Sequence, residues 1–229
     1  MSVVLWQKDG LFERLRDACR DSWDAYTTHP FTTGLGDGTL PVESFRHYLI
    51  QDYLFLVQFA RAWALAVYKA DNLADMTFVN NSVKAILDGE MAMHVKYCES
   101  WGISKEEIET YEEAEATIAY TRFVLETGMQ GDILDLVTAL VPCTVGYAEI
   151  AMRLEEADWR REEGNRYNDW IAAYSSDDYR RIARGKADFV DRLWHTRAGG
   201  GRFESLATIF DRACRLETSF WRMGLERLP

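Results

Sequence analysis

The chain has 229 residues, of which 48% are hydrophobic and 13% aromatic, so it can build a large apolar core and does not have the composition of a disordered protein. Its formal net charge of −11, without a dense run of lysine or arginine, argues against binding to nucleic acid or to an anionic membrane surface. No stretch approaches about 18 uninterrupted apolar residues, and the start of the chain lacks the features of a signal peptide. The four cysteines lie far apart with no CxxC pair, so we expect a cytoplasmic protein with free thiols.

Helical spacing of apolar residues predicts a first helix over 11–23, which ends before His29-Pro30-Phe31. The stretch 32–40 contains three glycines and no lysine, so we expect a connecting loop rather than a phosphate-binding one. Pro41 is suited to a first helical turn and precedes a long, very apolar helix over 45–70.

The rest of the chain also reads as helical, and alternating strand patterns are missing. Ser104 and Glu107 form a capping box, and Ser175 and Asp178 predict a second helix start. The predicted helices cover 80–101, 104–128, 133–154, 167–174, 175–198 and 203–228, with a charged turn over 155–164. We expect one all-α domain over residues 1–229, a bundle of roughly eight helices that bury one another and in part a partner subunit.

The central apolar helix is unusual because it contains a proline. Pro142 removes one backbone hydrogen bond and is expected to free the carbonyl of Thr138 and to bend the helix beside Cys143. Tyr147 lies one turn further along the same face, and Gly146 removes a side chain there at a cost of up to about 1 kcal/mol of helix stability. This arrangement suits the wall of a small-molecule cavity, and it equally suits a kinked core helix with a buried thiol.

Two carboxylates stand in apolar surroundings. Asp52 lies in a helix where a carboxylate must be paired, hydrogen-bonded or next to a polar cavity, and Phe55 shares its face. A core hydrogen bond or an arginine would also satisfy it. Glu217 lies one turn from Trp221, and a carboxyl held against aromatic surface has a raised pKa and can act as a general acid. A glutamate on the helix surface is the alternative.

A metal site is a further alternative. Glu90 and His94 are four residues apart, whereas di-iron bundles use Glu-x-x-His from two helices, and Glu149 is followed by Met152 at that spacing. We therefore expect a hydrogen bond between Glu90 and His94 rather than a di-iron site, while haem bound through one histidine stays open.

Tyr120 and Tyr174 lie on helices that are otherwise half apolar. Such tyrosines are as a rule core residues whose hydroxyl groups are hydrogen-bonded. They gain functional interest only if they converge with Cys143.

Motifs along nearly the whole chain resemble the TenA-type thiaminase II proteins, the aminopyrimidine aminohydrolases. These motifs are His29-Pro30-Phe31, residues 34–41, 48–53 and 90–94, Tyr120-Thr121, residues 140–143 with Tyr147 and Glu149, residues 170–174, and Glu217 with Phe220-Trp221. Each motif alone is weak, but their order and spacing together are highly specific.

The resemblance implies a haem-oxygenase-like all-α fold, usually a homotetramer, that works without metal, haem or another cofactor. It implies hydrolysis of 4-amino-5-aminomethyl-2-methylpyrimidine to the hydroxymethylpyrimidine in thiamine salvage, and many members also cleave thiamine. The partner is thus a small aminopyrimidine or thiamine. By motif position, Cys143 would be the nucleophile, Glu217 the acid/base and Asp52 the carboxylate that holds the aminopyrimidine. The pocket would be lined by Phe55, Tyr120, Tyr147 and Tyr174.

Phe55 stands where many members have tyrosine, so one hydroxyl is missing. Two other classes stay open: a redox, haem-binding or metal-binding protein of the same fold, and a non-catalytic binding or regulatory protein. The presence of Cys143, Asp52 and Glu217 together favours the hydrolase. We expect these three side chains to face one closed cavity with aromatic walls.

Overall fold

The computed structural model describes residues 4–229, apart from the side chains of Glu90 and Met93. Over these residues the chain forms twelve α-helices and no β-strand, which confirms the predicted all-α class but not the count of roughly eight helices. The helices are α1 (Leu11–Ala18), α2 (Arg20–Thr27), α3 (Pro30–Asp37), α4 (Val42–Lys69), α5 (Leu73–Lys84), α6 (Met91–Ser100), α7 (Lys105–Ile108), α8 (Glu115–Gln130), α9 (Ile133–Glu156), α10 (Asn168–Ser175), α11 (Asp177–Arg197) and α12 (Arg202–Glu226).

The density of contacts divides the chain into two compact units. The first contains the described residues up to Leu40 together with Val137–Trp221, and the second contains Pro41–Leu136 and Arg222–Pro229. Helices α9 and α12 contribute residues to both units. A single domain over residues 1–229 stays a prediction.

Helix α3 occupies part of the stretch that was predicted to be a loop, so that prediction was wrong. His29 caps the helix, because its Nδ1 accepts a hydrogen bond from the backbone N–H of Phe31 at 3.1 Å. Pro30 takes the first helical position, where its missing N–H costs nothing. Gly38, with a φ of 76°, ends the helix in the left-handed conformation that glycine adopts readily.

The glycines inside α3 serve close packing rather than a turn. A Cβ atom on Gly34 would lie 3.1 Å from the Cβ of Leu40, and one on Gly36 would lie 2.7 Å from the Trp159 ring. Sequence reasoning misread these glycines, because the neighbours that require them lie outside the helix.

The first predicted helix is interrupted at Cys19, where the backbone leaves helical geometry at φ −113° and ψ 30°. The Cys19 thiol donates a hydrogen bond to the carbonyl of Ala207 at 3.3 Å. Gly10 precedes α1 and has no side chain to cap it. Asp191 acts in its place and accepts the N–H of Phe12 at 3.0 Å.

In the second unit, the helix predicted over 80–101 begins earlier, at Leu73, where Asn72 caps α5 by accepting the N–H of Asp75 at 2.9 Å. A π-helical segment over Ala85–Glu90 joins α5 to α6. The predicted capping residue Ser104 accepts the N–H of Glu107 at 3.1 Å, but α7 has only four residues.

Helix α8 starts only at Glu115, and a distant side chain replaces its missing cap. Gln51 on α4 accepts hydrogen bonds from the Ala114 N–H and the Thr117 hydroxyl, both at 2.8 Å. Its amide donates to the carbonyl of Glu112 at 3.0 Å. These three bonds explain why the predicted helix over 104–128 is split, because they fix the backbone between α7 and α8.

The start of α11 differs by one residue from the prediction. Ser176 accepts the N–H of Tyr179 at 3.2 Å and is the cap, whereas Ser175 is buried at the end of α10.

Helix α9 is long and apolar enough by composition to cross a membrane, but 89% of its most apolar window is buried in the fold. A buried core helix of a globular protein passes the same test of length and composition.

Candidate active site

Cys143 lies on α9, which continues through Pro142 without a break. Its side chain is half-buried, and the Tyr26 hydroxyl approaches the Pro142 carbonyl at 3.5 Å. The Thr138 hydroxyl, one turn before the proline, is buried and makes no hydrogen bond to any described residue. The predicted bend of the helix stays a prediction.

Gly146 allows a close approach beside Cys143. A Cβ atom at this position would lie 2.2 Å from a ring carbon of Tyr26, which is completely buried. The small residue therefore lets an aromatic ring of another helix rest directly on α9.

The Tyr147 cluster is an aromatic group formed by Tyr147, Trp170, Tyr174 and Trp221. The Tyr147 ring lies 5.0 Å from Tyr174, 5.8 Å from Trp170 and 5.1 Å from Trp221, measured between centroids. Trp170 and Tyr174 are 4.7 Å apart on α10. Two residues predicted to line the pocket, Tyr147 and Tyr174, thus lie together, and Tyr147 is one turn from Cys143 on α9.

Glu217 is 1% exposed and lies on α12 one turn before Trp221. Because Trp221 contacts Tyr147, α12 meets α9 within one turn of both Glu217 and Cys143. The roles of Cys143 as nucleophile and Glu217 as acid/base stay predictions.

The His29-Pro30-Phe31 motif has a packing role in the first unit. The Phe31 ring stacks on Trp221 with a centroid distance of 5.0 Å and an interplanar angle of 15°. The same tryptophan stacks on Tyr26 at 6.3 Å. The motif therefore helps to hold Trp221 of α12 in place.

Glu149 is held by a structural partner. Both carboxylate oxygens accept from the indole N–H of Trp23 at 3.2 Å. Burial raises the pKa of Glu149, and the hydrogen bond from Trp23 acts in the opposite direction. The hydrogen bond to Trp23 gives Glu149, which belongs to one of the family motifs, a structural role in joining α9 to α2.

Asp52 belongs to the second unit and is 5% exposed on α4. Its Oδ2 accepts a hydrogen bond from the Tyr48 hydroxyl at 3.4 Å and lies 3.6 Å from the Nδ1 of His94. Burial raises the pKa of Asp52 to about 7, against the smaller lowering effect of Tyr48. A buried carboxyl with a pKa near neutrality can change its protonation state in the working range of an enzyme.

Phe55, three residues after Asp52 on α4, and Tyr120 on α8 form a second aromatic group in the same unit as Asp52. Their rings lie 5.1 Å apart, and Phe55 stacks on Phe59 at 5.4 Å. Phe55 and Tyr120 are 5% and 1% exposed, so both are core residues in this structure. Their role in lining a pocket stays a prediction. It also stays a prediction that Asp52, Cys143 and Glu217 face one cavity.

Among the described residues, no group of three or more histidine, cysteine, aspartate or glutamate side chains could hold a metal ion. The side chain of Glu90 lies outside the described residues, so its hydrogen bond to His94 stays a prediction. His94 is described, and its Nε2 lies 2.9 Å from the carbonyl oxygen of Leu49.

The second unit also carries an open groove of about 500 Å³. It is lined by Leu54, Val57, Gln58, Arg61, Tyr111, Glu112, Glu113 and Ile118. None of the site residues predicted from the sequence lines it. The charged residues of its lining, Arg61, Glu112 and Glu113, lie on an open surface.

The family model described as the TENA/THI-4/PQQC family matches residues 16–227. The chain belongs to this family. Among its TENA/THI-4/PQQC relatives, an aminopyrimidine aminohydrolase of Halalkalibacterium halodurans is 35% identical over 92% of this chain and 93% of its own length. An aminopyrimidine aminohydrolase of Helicobacter pylori is 33% identical, with 89% and 93% of the two chains covered.

Solved structures agree with the family assignment. A TenA family transcription regulator from Silicibacter sp. TM1040 is 41% identical, covers 98% of this chain and 99% of its own, and has a TM-score of 0.91. A domain of unknown function from Shewanella denitrificans with a heme oxygenase-like fold has a TM-score of 0.72 at 15% identity, with 94% and 92% covered, and it shows the fold alone. Together they confirm the predicted haem-oxygenase-like bundle.

Sequence reasoning missed several residues that surround the predicted ones in this TENA/THI-4/PQQC chain. Tyr48 could have been found, since it lies four residues before Asp52 on the same helix. Trp170 and Trp221 stood inside the quoted motifs but were not assigned to the site. The contact of His94 with Asp52 joins two helices and has no signal in the sequence.

Proposed function

We propose that this chain is an aminopyrimidine aminohydrolase of thiamine salvage. It converts 4-amino-5-aminomethyl-2-methylpyrimidine to 4-amino-5-hydroxymethyl-2-methylpyrimidine and also accepts thiamine. The observation that carries the proposal is the near-complete match to a relative named aminopyrimidine aminohydrolase, at 35% identity over 92% of this chain. The buried acids and aromatic clusters described above are the chemistry that a flat, basic heterocycle requires.

The proposed reaction splits one slow displacement into two faster steps. The Cys143 thiolate adds to the pyrimidine ring while Asp52 holds the ring nitrogen or the amino group. The adduct expels the amine from the methylene carbon, and Glu217 gives that amine a proton. Glu217, now a carboxylate, then takes a proton from water as the water adds to the methylene carbon. Loss of the thiolate restores the aromatic ring.

The choice of Cys143 among the four cysteines is supported by exposure. Burial raises the pKa of Cys19 to about 11 and that of Cys98 to about 12, and it raises the pKa of Cys214 well above its ordinary value. These three thiols stay protonated and inert near neutral pH. Cys143 is half-buried, so it is the thiol that a substrate can reach.

The test compares initial rates on the aminomethylpyrimidine and on thiamine for wild type, Cys143→Ser and Glu217→Gln. General acid–base assistance contributes about 10²–10⁴-fold, so we expect Glu217→Gln to lose activity in that range. Cys143→Ser should keep less than about a tenth of the wild-type rate, because a tenfold loss corresponds to only about 1.4 kcal/mol of barrier. Both variants should fold and bind the hydroxymethylpyrimidine product.

Cys19→Ser is the matched control, since a serine hydroxyl can keep the hydrogen bond to Ala207 and the variant should remain active. Activity of Cys143→Ser above a tenth of wild type would refute the nucleophile assignment.

A regulatory function is the second candidate, because the Silicibacter structure is described as a transcription regulator. A folded wild-type protein that turns over neither substrate would favour it, although the net charge of −11 disfavours binding to nucleic acid. Colour or stoichiometric metal in the purified protein would favour a redox protein instead.

We further propose a cytoplasmic homotetramer that needs no cofactor and binds neither nucleic acid nor membranes. With −11 per subunit, the subunit contacts of a tetramer must be apolar or locally balanced in charge. Light scattering on the purified protein tests the tetramer, and a stable monomer would contradict it.

A further inference from the structure

His94 connects α6 to α4 through both of its ring nitrogens. Its Nε2 lies 2.9 Å from the carbonyl oxygen of Leu49, and its Nδ1 lies 3.6 Å from Oδ2 of Asp52. The histidine is 8% exposed and the aspartate 5%. A buried imidazole therefore stands between a backbone carbonyl and a buried carboxyl.

The carbonyl decides which nitrogen of His94 carries hydrogen. A carbonyl oxygen only accepts, so the Nε2 that faces Leu49 must be the N–H donor. The Nδ1 of a neutral ring then presents a lone pair to Asp52. Two acceptors repel each other at this distance, unless one proton lies on the aspartate or on Nδ1.

We propose that His94 is a positioning residue that shares one exchangeable proton with Asp52 and fixes the direction in which the carboxyl presents it. The matching ligand is a heterocycle with a ring nitrogen next to an exocyclic amino group. The carboxyl accepts from the amino N–H and can give its proton to the ring nitrogen. This inference rests on the proposed function for the identity of that heterocycle.

The surroundings of the pair suit proton sharing. The titratable groups placed around Asp52 in the second unit include Tyr48 on α4 and both His94 and Cys98 on α6. Burial, together with the nearby Asp52 charge, raises the pKa of Cys98 to about 12, so this thiol does not compete for the proton. The ring of Tyr53 lies 6.4 Å from the imidazole and adds an aromatic wall.

The pair supplies what nucleophilic addition to the ring requires. When a thiolate forms a bond to the ring carbon beside the carbon that carries the methylene group, the π electrons shift along the conjugated C=C–C=N unit, and the C=N pair moves to the ring nitrogen next to the amino group. The proton of the pair moves to that nitrogen and leaves an Asp52 carboxylate beside a neutral His94. The proton returns to the pair when the thiolate departs and the ring becomes aromatic again. The 3.6 Å separation is long for a hydrogen bond, as catalytic contacts often are before substrate binds.

Two substitutions of His94 distinguish a purely structural role from proton sharing with Asp52. His94→Asn places an amide N–H near the position of Nδ1, and His94→Gln places one near Nε2, but neither amide exchanges a proton near neutral pH. We expect the carboxyl of Asp52, followed by NMR of ¹³C-labelled aspartate and assigned with Asp52→Asn, to titrate at a lower pH in His94→Asn, because the amide N–H donates to the carboxylate and stabilises its charged form. We expect kcat to fall at least about tenfold in both variants, with a smaller change in KM for His94→Asn.

His47→Gln is the matched control, because the Nε2 of His47 also lies 2.9 Å from a carbonyl, that of Leu228, while its charged neighbour is Arg227. It should leave the titration of Asp52 and kcat unchanged. A wild-type titration and kcat in His94→Asn would overturn the proposal and leave the histidine a structural support.

The wild-type protein provides a second measurement should a variant fail to fold. Nitrogen NMR of its histidine rings must show the hydrogen of His94 on Nε2, and a hydrogen on Nδ1 with bare Nε2 would overturn the proposal. Failure of the proposed function is recognised separately: the wild type then lacks turnover, while the carboxyl titration still decides whether the pair exists.

Discussion

Replacing Asp52 by asparagine should make the stability of the protein less sensitive to pH. Burial raises the pKa of Asp52 to about 7, from an ordinary value of 3.8. Between these two values the folded state holds a proton that the unfolded state has lost. The free energy of unfolding therefore falls as pH rises through this window and levels off above about pH 7. Asparagine does not ionise, so the free energy of unfolding of Asp52→Asn should not show this fall with pH.

The expected change in the free energy of unfolding depends on the pH range in which the protein can be studied. The calculated isoelectric point is about 4.9, so solubility limits the experiment to pH values above about 5.5. From there to the folded-state pKa of about 7 the span is about 1.5 units. Each unit corresponds to about 1.4 kcal/mol, so wild type should lose up to about 2 kcal/mol that Asp52→Asn keeps.

Urea unfolding followed by tryptophan fluorescence measures the difference at pH 5.5, 6.5 and 8, and the eight tryptophans provide the signal. Asp88→Asn, the same substitution at an exposed residue of the second unit, is the reference for losing one carboxylate. The stability of Asp52→Asn relative to wild type should rise with pH. A relative stability that stays constant or falls with pH would refute the reasoning, because the folded protein would then hold an ionised carboxylate already.

Two further predictions concern α9. Gly146→Ala should destabilise the protein by about 1–3 kcal/mol in urea unfolding, since its Cβ would lie 2.2 Å from the buried Tyr26 ring and the strain exceeds the gain in helix propensity. Alkylation of the native protein with iodoacetamide at pH 8, followed by mass spectrometry, should modify Cys143 well before the three buried cysteines, because burial raises the pKa of those thiols and shields them.

Each of these predictions has a control. Gly89→Ala places a Cβ where, beyond its chain neighbours and the local helix backbone, no described atom lies within 4 Å, so it should cost far less than Gly146→Ala. A Gly146→Ala protein as stable as wild type would mean that Tyr26 can move away at little cost. In Cys143→Ser, the native protein should resist alkylation until urea unfolds it, and rapid modification of Cys19 would contradict the burial argument.

The helices with a regular apolar face were predictable. Helices α4, α9 and α12 carry apolar residues every three to four positions, and this period specifies which face is buried. Local caps were predictable within a residue, as Ser104 and the shift from Ser175 to Ser176 illustrate. The contact between Tyr48 and Asp52 follows from their spacing on one helix.

The sequence by itself determined the all-α class, the family resemblance, and the placing of Asp52, Cys143 and Glu217 within apolar helices, because periodicity and motif order are local properties. Only the tertiary structure decided that the glycines of α3 belong to a helix, that Gln51 caps α8, and that His94 reaches Asp52. Each of these depends on two segments distant in sequence. Spacing along one helix cannot reveal which side chain of another helix will come within a few ångströms of it.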